Sequence, residues 1–322
     1  MSFTIVSLGG PVATEGEAML RAAGTRLVST GSYPAKAEIC ALLAAEQPDA
    51  IIVRLVERID GEILRASPRL RLVARHGAGS NNVDVVAAAA LGIPVLAAVG
   101  ANAHSVAEHA LSLMLALAKD LRSQDSFVRS GGWKDKAYAG FELRGLTLGL
   151  VGLGLIGSTF AAMVQPLGMR VIAYDPYAPE TAFGAGVTRA TELDALLSAS
   201  DVVSLHCPLT PATEQLIGAR QLGLMKRSAL LINTARGEVV DEAALIAALR
   251  DGTIAGAGLD SFAPEPPAPD NALWSLPNVI LSPHVAGVTA EARREVSLMT
   301  CRNVLAWLRG EEVARRFFVQ PG

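Results

Sequence analysis

Short apolar runs and helix-period segments alternate along the first hundred residues. The runs predict strands at 4–7, 26–29, 50–53, 71–74 and 94–97. Thr14 and Glu17 have capping-box spacing ahead of AMLRAAG and predict a helix start. Strands alternating with helices imply parallel strands joined by crossovers, an α/β sheet. Near residue 100 the pattern changes. NAHSVAEHALSLMLALAKDL predicts one long helix with a wide apolar face, with capping-box spacing again at Ser105 and Glu108. It reads as a domain connection, and its width fits either a buried core helix or a subunit interface. A second α/β series follows, with strands predicted at 147–151, 170–174, 201–205, 229–233, 255–259 and 278–281 and a helix at 241–250. APEPPAPDNA at 263–272 is too proline-rich to be helical throughout and predicts an ordered or covering loop. The stretch 289–308 is strongly amphipathic and is expected to pack back on the first domain, so that the chain crosses between domains twice.

The chemistry begins in VGLGLIGSTF, where Gly152, Gly154 and Gly157 have G-x-G-x-x-G spacing. Alone the pattern is weak. Here an apolar strand precedes it, a helical segment follows, and the next strand ends at Asp175, eighteen residues beyond Gly157. Each part has a task in binding a dinucleotide. Gly152 permits the tight turn, Gly154 lets backbone approach a pyrophosphate, and Gly157 lets the helix pack on the strand. The helix N-terminus, at Leu155 and Ile156, offers unpaired N–H groups to the phosphates. Asp175 can accept hydrogen bonds from a ribose and would repel a 2′-phosphate, so NAD is expected rather than NADP.

Composition narrows the rest. Of 322 residues 51% are hydrophobic, enough for a core in each of two domains. The net charge of −3 comes without a long run of one sign, which argues against nucleic acid as a partner. Cys40, Cys207 and Cys301 are far apart and form no metal spacing, so reduced thiols and no metal site are expected. The N-terminus lacks the basic and apolar regions of a signal peptide, and the apolar run at 110–118 is well short of the ~20 residues that span a bilayer. A cytoplasmic protein without membrane attachment is expected.

The segments RHGAGSNNVD, NAHSVAEH, LTLGLVGLGLIG, HCPLTPAT, LLINTARGEVVDEAAL and NVILSPHVAGVT occur in an order and spacing that resemble the NAD-dependent D-isomer-specific 2-hydroxyacid dehydrogenases, the group of phosphoglycerate dehydrogenases and hydroxypyruvate or glyoxylate reductases. The resemblance runs from about Arg54 to Glu291. It implies two Rossmann-like or flavodoxin-like doubly wound parallel-sheet α/β domains, with an NAD-binding domain at 103–288 inserted into a substrate-binding domain at 1–102 and 289–322. It implies hydride transfer between NAD(H) and C2 of a small 2-hydroxy or 2-keto acid held in the cleft between domains. A homodimer is the family's habit. No regulatory domain is expected after the last helix.

The family's catalytic Arg, Glu and His match Arg236, Glu265 and His284. Arg236 follows an apolar strand, where a guanidinium can bind a carboxylate bidentately and polarise the adjacent keto oxygen. His284, in SPHVAG, suits proton delivery to a developing alkoxide. Glu265 would orient that imidazole and stabilise its charged form. Asp260 matches the acid that orients the nicotinamide carboxamide. Cys207, Pro208, Thr213, Thr234, Ala235 and Gly287, with Arg236 and His284, are expected to line the cofactor. Cys207 reads as a buried, inert thiol, and His206 and His109 as structural. In the first domain the Gly77 and Ala78 amides can form a nest for the substrate carboxylate, and Arg54 can reach the distal part of the substrate. Departures from the family occur at Ser80, at Asn81, where an acid is common, and at Leu155, where Arg or another polar residue is common; the last leaves the pyrophosphate to backbone amides. Two rival readings are a dinucleotide-sensing, corepressor-like interaction protein on the same fold and a phosphite- or formate-type dehydrogenase.

Overall fold

Strands that are apolar at nearly every position belong in parallel sheets covered on both faces, and two such sheets form. The structure is a computed structural model that describes residues 2–320 except 57, 81, 135–137, 139 and 185. The chain divides into two units, Met1–Asn102 with Val288–Gly322, and Ala103–Gly287. Unit one contains β1 (Thr4–Leu8), β2 (Arg26–Ser29), β3 (Ala50–Val53), β4 (Leu72–Arg75) and β5 (Val95–Ala97), all parallel, in the order β2-β1-β3-β4-β5. Unit two contains β6 (Thr147–Val151), β7 (Arg170–Tyr174), β8 (Val187–Arg189), β9 (Val202–Leu205), β10 (Leu230–Asn233), β11 (Gly256–Leu259) and β12 (Val279–Leu281), again parallel, in the order β12-β11-β10-β9-β6-β7-β8. Each sheet is doubly wound, reversing direction between β1 and β3 and between β6 and β9. Such reversals open a crevice beyond the strand C-termini.

The eleven strands expected from the apolar runs form within a residue of their expected bounds. β8 was not expected: it is a three-residue edge strand with mostly exposed side chains and gives no apolar run. The 102–121 stretch does not form one helix. The helix Ala103–Ala118 ends where Asp120 turns left-handed (φ 46°), and a second helix runs Leu121–Arg129. The cause is a long-range competitor: Phe141 N donates to the Ala118 carbonyl at 3.0 Å, and Lys119 Nζ donates to the Phe141 carbonyl at 2.7 Å. The first of these helices buries Ala107, Ala110, Leu113 and Met114, so it is a core helix of unit two. It packs closely because β11 is nearly without side chains: a Cβ on Gly258 would lie 2.9 Å from Leu113 Cβ.

Neither expected capping box forms. Thr14 is the first residue inside its helix, and the N-cap Ala13 instead donates its amide to Ser297 Oγ at 3.0 Å. Ser105 lies inside its helix. Side-chain caps form elsewhere, among them Asp241, which accepts from Ala244 N, and Thr289, which accepts from Ala292 N at the head of the helix Ala290–Arg309. That last helix buries Cys301, Val304 and Leu308 in unit one and crosses the helix Thr14–Ala22 at Gly16, where a Cβ would be 3.0 Å from Cys301 Sγ.

Candidate active site

Six strand ends of unit two stand in one row: Leu281 pairs with Leu259, Leu259 with Asn233, Asn233 with Leu205, Leu205 with Val151, and Val151 with Tyr174. Several residues singled out from sequence lie just past this row. They are His284, Asp260 with Glu265, Arg236, His206 with Cys207, the glycine loop, and Asp175.

The glycine loop closes tightly. Gly152 has φ 97°, and a Cβ there would lie 2.7 Å from Cys207 N; a Cβ on Gly157 would overlap the Gly152 carbonyl oxygen. At Gly154 a Cβ would meet nothing within 4 Å among the described residues, so the backbone there is open to a ligand. Gly154 caps the helix Leu155–Val164 without a side-chain bond, and the first-turn amides point outward by helix geometry. Asp175 adjoins this loop: Oδ2 accepts from Leu153 N at 2.8 Å, and Oδ1 accepts from Tyr177 N at 2.9 Å and Ala178 N at 3.0 Å. A carboxylate has about four acceptor positions, so capacity remains for a ribose hydroxyl.

Glu265 and His284 meet. His284 Nδ1 donates to Glu265 Oε2 at 2.6 Å, and Phe262 N donates to Glu265 Oε1 at 3.0 Å. The His284 backbone is left-handed (φ 53°), an uncommon state for a residue with a Cβ. Asp260 explains how it is held. This carboxylate is buried, and it accepts from Ser282 Oγ at 2.6 Å and Val285 N at 2.9 Å through Oδ1, and from Ala286 N at 2.8 Å through Oδ2. His109 Nε2 donates to Ser282 Oγ at 2.7 Å and so extends the same network. Asp260, expected from the resemblance to face a nicotinamide, here anchors the loop that carries His284. Sequence reasoning gave Ser282 no role, although its place two residues before His284 is a signal.

Arg236 is half-buried and its Nη1 donates to the Ala235 carbonyl at 2.7 Å. Asn233 ties this turn at both ends, accepting from Ala235 N at 3.0 Å and donating to the Arg236 carbonyl at 2.8 Å. Next to it Gly237 lies so close to Phe262 that a Cβ would overlap the Phe262 carbonyl carbon. The turn bearing Arg236 therefore abuts the segment whose amide holds Glu265. Thr234 Oγ1 is buried with no partner among the described residues. Thr213 Oγ1 donates to the Pro208 carbonyl at 2.6 Å and accepts from Thr210 N at 2.8 Å, so that hydroxyl is committed to its own turn. Burial pushes the Cys207 thiol up to about 11, and it pushes the His206 imidazole down to about 4. Both groups stay neutral near pH 7. Gly287 closes unit two.

In unit one the expected nest is half formed. Gly77 (φ 147°) turns its amide back onto the Arg75 carbonyl at 3.0 Å, because Arg75 is itself pinned by its Nη1 bonds to the Val53 and His76 carbonyls at 3.1 and 2.7 Å. The Ala78 amide has no partner among the described residues. Arg54 is half-buried at the end of β3, and its Nε is buried without a partner among the described residues. Ser80 only accepts from Val83 N through its carbonyl, and Asn81 lies outside the described residues.

Residues 111–286 match the NAD binding domain of the D-isomer specific 2-hydroxyacid dehydrogenases. The chain is 41% identical over 263 residues to D-3-phosphoglycerate dehydrogenase of Archaeoglobus fulgidus, covering 81% of this chain and 50% of that protein. It is 42% identical over 267 residues to glyoxylate reductase of Korarchaeum cryptofilum, covering 82% and 80%. The solved TT0316 protein from Thermus thermophilus superposes with a TM-score of 0.86 at 35% identity, over 96% of this chain and 98% of that one. The chain belongs to the D-isomer-specific 2-hydroxyacid dehydrogenase family. It spans about half the length of the phosphoglycerate dehydrogenases it matches. No helix among the described residues is long and apolar enough to cross a membrane.

Proposed function

We propose that the chain is an oxidoreductase that interconverts small 2-hydroxy and 2-keto acids of the hydroxypyruvate, glyoxylate or 3-phosphoglycerate type, using NAD(H). The observation that carries this reading is the 2.6 Å contact of His284 Nδ1 with Glu265 Oε2, next to the turn that bears Arg236. The glycine loop, the open backbone at Gly154 and the unpartnered Thr234 hydroxyl fit a dinucleotide in the Ala103–Gly287 unit. When bound, the nicotinamide ring supplies hydride to substrate C2 in reduction and takes it up in oxidation.

The chain's own groups do the rest. Arg236 holds the substrate carboxylate bidentately and polarises the keto oxygen. His284 uses Nε2, the nitrogen that Glu265 does not engage, to protonate the forming alkoxide and to take the proton back in oxidation. Glu265 fixes the tautomer and orientation of the ring and is its counter-charge when protonated. Asp260 holds the left-handed backbone at His284, and Asp175 accepts from the adenosine ribose and disfavours a 2′-phosphate. Unit one is then the substrate-binding domain. A cytoplasmic homodimer is part of the proposal; exposed Leu121, Val128 and Trp133 on and beside the helix Leu121–Arg129 are apolar surface suited to a second copy.

The test is consumption of NADH against a panel of 2-keto acids, followed by absorbance. Turnover of at least one of them, lost in His284→Ala while NADH still binds, is the expected outcome. Tight NADH binding with turnover of none overturns the reading in favour of a dinucleotide sensor.

A further inference from the structure

The left-handed backbone of His284 is a state that persists only where its surroundings over-determine it. Val285 N and Ala286 N help to do so by donating to the buried Asp260 carboxylate. A third partner of that carboxylate, Ser282 Oγ at 2.6 Å, leads out of the loop to His109 on the helix Ala103–Ala118. The direction of these bonds is set by chemistry. An ionised carboxylate only accepts, so the Ser282 hydroxyl gives its one proton to Asp260. The 2.7 Å contact of Ser282 Oγ with His109 Nε2 then needs its proton on the imidazole. His109 is the donor at the head of this relay, and Asp260 is the acceptor at its end.

The helix gives that donor a firm base. Leu113 is one turn after His109 and shares its face. Asp260 continues the ladder of β11, its amide donating to the Asn233 carbonyl at 2.9 Å, and so stands on the same side of the strand as Gly258. The two pairs meet in register. A Cβ on Gly258 would lie 2.9 Å from Leu113 Cβ, and one turn back along the helix His109 Nε2 is 3.6 Å from Asp260 Oδ1. The missing side chain at Gly258 brings the helix close enough for the imidazole to reach the loop. His109 itself adds little to the core: its side chain is 25% exposed, while Ala107, Ala110, Leu113 and Met114 are buried.

We propose that His109 is a positioning residue for proton transfer: through Ser282 and Asp260 it holds the 282–286 loop so that His284 Nδ1 meets Glu265 and Nε2 is left for the substrate. The proposal rests on the dehydrogenase reading above, in which His284 moves the proton. With an apolar side chain at 109 the Ser282 hydroxyl loses its donor and is no longer held toward Asp260. The carboxylate then keeps only the two amides, and the His284 backbone gains freedom to leave its left-handed state.

The experiment uses the full chain with His109→Leu, His109→Gln and Ser282→Ala. Gln carries an N–H donor about as far from its backbone as His Nε2, and Leu carries none. The first readout is turnover of glyoxylate and hydroxypyruvate with NADH. His109→Leu is expected to lower kcat about 10- to 100-fold, the scale for shifting a reacting group by about 1 Å, with KM and the dissociation constant for NADH within about twofold of the parent. His109→Gln is expected to restore most of the loss. Combining His109→Leu with Ser282→Ala lowers kcat no further than Ser282→Ala alone, because both cut one relay. The second readout needs no turnover. The imidazole nitrogen shifts of His284, assigned by their loss in His284→Ala, are expected to move in His109→Leu and to return in His109→Gln. Parental kcat in His109→Leu, a loss that His109→Gln does not reverse, or unmoved His284 shifts overturns the role of His109. If His109→Leu does not fold, Ser282→Ala cuts the relay at its middle, and unmoved shifts there overturn the proposal equally. If the parent reduces neither keto acid nor any other in the panel, the dehydrogenase reading falls, and the nitrogen shifts still decide whether His109 positions His284.

Discussion

The two sheets end in opposite chemistry. Both are parallel and doubly wound, and both present strand C-termini as a row. In unit two that row carries three acids, all engaged: Asp175 by three amides, Asp260 by two amides and a hydroxyl, and Glu265 by an amide and His284. In unit one the corresponding row carries Arg54, Arg75 and His76: Arg75 and His76 are bonded, and Arg54 Nε is buried without a partner among the described residues. The first edge uses carboxylates to hold loops in set conformations and so holds Glu265 against His284. The second carries these basic groups without a carboxylate among them.

The comparison is broken most directly at His284. Replacing it with Ala is expected to lower kcat by about two to four orders of magnitude, the usual contribution of a positioned acid or base, with the dissociation constant for NADH unchanged. Glu265→Gln keeps the hydrogen bond but loses the counter-charge and is expected to fall between that variant and the parent. Parental turnover in His284→Ala would remove the functional distinction between the two edges.

Each unit also hides one neutral imidazole, which sharpens the comparison through pH. His206 has a folded pKa of about 4 and His76 of about 3, both held below the ordinary value of 6.5 by burial. Below 6.5 the unfolded chain binds a proton that the folded chain refuses. Stability is therefore complete above pH 6.5 and falls as pH drops toward 4 for His206 and toward 3 for His76. At about 1.4 kcal/mol per pKa unit the loss at each site reaches about 3 kcal/mol or more. Melting temperatures measured from pH 7 to 4 are expected to decline, less steeply in His76→Asn. An identical slope in that variant would show that His76 does not titrate with unfolding.

Much of the fold was legible because buried parallel strands are written as unbroken apolar runs. What was hidden was set by distant partners or by the lack of burial. β8 is a short exposed edge, and the break at Asp120 depends on Phe141, twenty-one residues away. The Thr14 capping box failed because the start of that helix is tied by a tertiary bond, from Ala13 N to Ser297 Oγ, and Ser105 lies inside its helix rather than at its cap. At the site, Arg236, Glu265 and His284 could be named from motif and resemblance, since each follows a strand end. The supporting groups could not: Ser282 and His109 acquire meaning only once Asp260 is seen to bind the His284 loop.

The glycine loop offers a steric contrast. A methyl group at Gly157 would overlap the Gly152 carbonyl, whereas one at Gly154 meets nothing and its φ of −79° suits any residue. Gly157→Ala is expected to cost about 1 to 3 kcal/mol of stability from overpacking, with NADH affinity reduced as the helix N-terminus shifts. Gly154→Ala is expected to change stability by less than about 0.5 kcal/mol, as an open surface position does, and to weaken NADH binding alone. Denaturant titration with calorimetry distinguishes the two. Equal stability loss would mean that the loop is not packed as the distances require.

The smallest expected effect concerns the one place where unit two lacks what unit one has in excess. Leu155 opens the helix behind Gly154 and is 54% exposed, so an apolar group occupies the first turn, where the proposed function puts the pyrophosphate. Leu155→Arg introduces a cation at a helix N-terminus, which by itself costs a few tenths of a kcal/mol. With the dinucleotide bound, that guanidinium gains a phosphate and the balance reverses. The apo variant is therefore expected to melt slightly below the parent, and the NADH-bound variant slightly above it, with affinity raised by about two- to fivefold at low salt and less at high salt. A variant that is destabilised equally with and without NADH would place the pyrophosphate elsewhere than at the head of the helix Leu155–Val164.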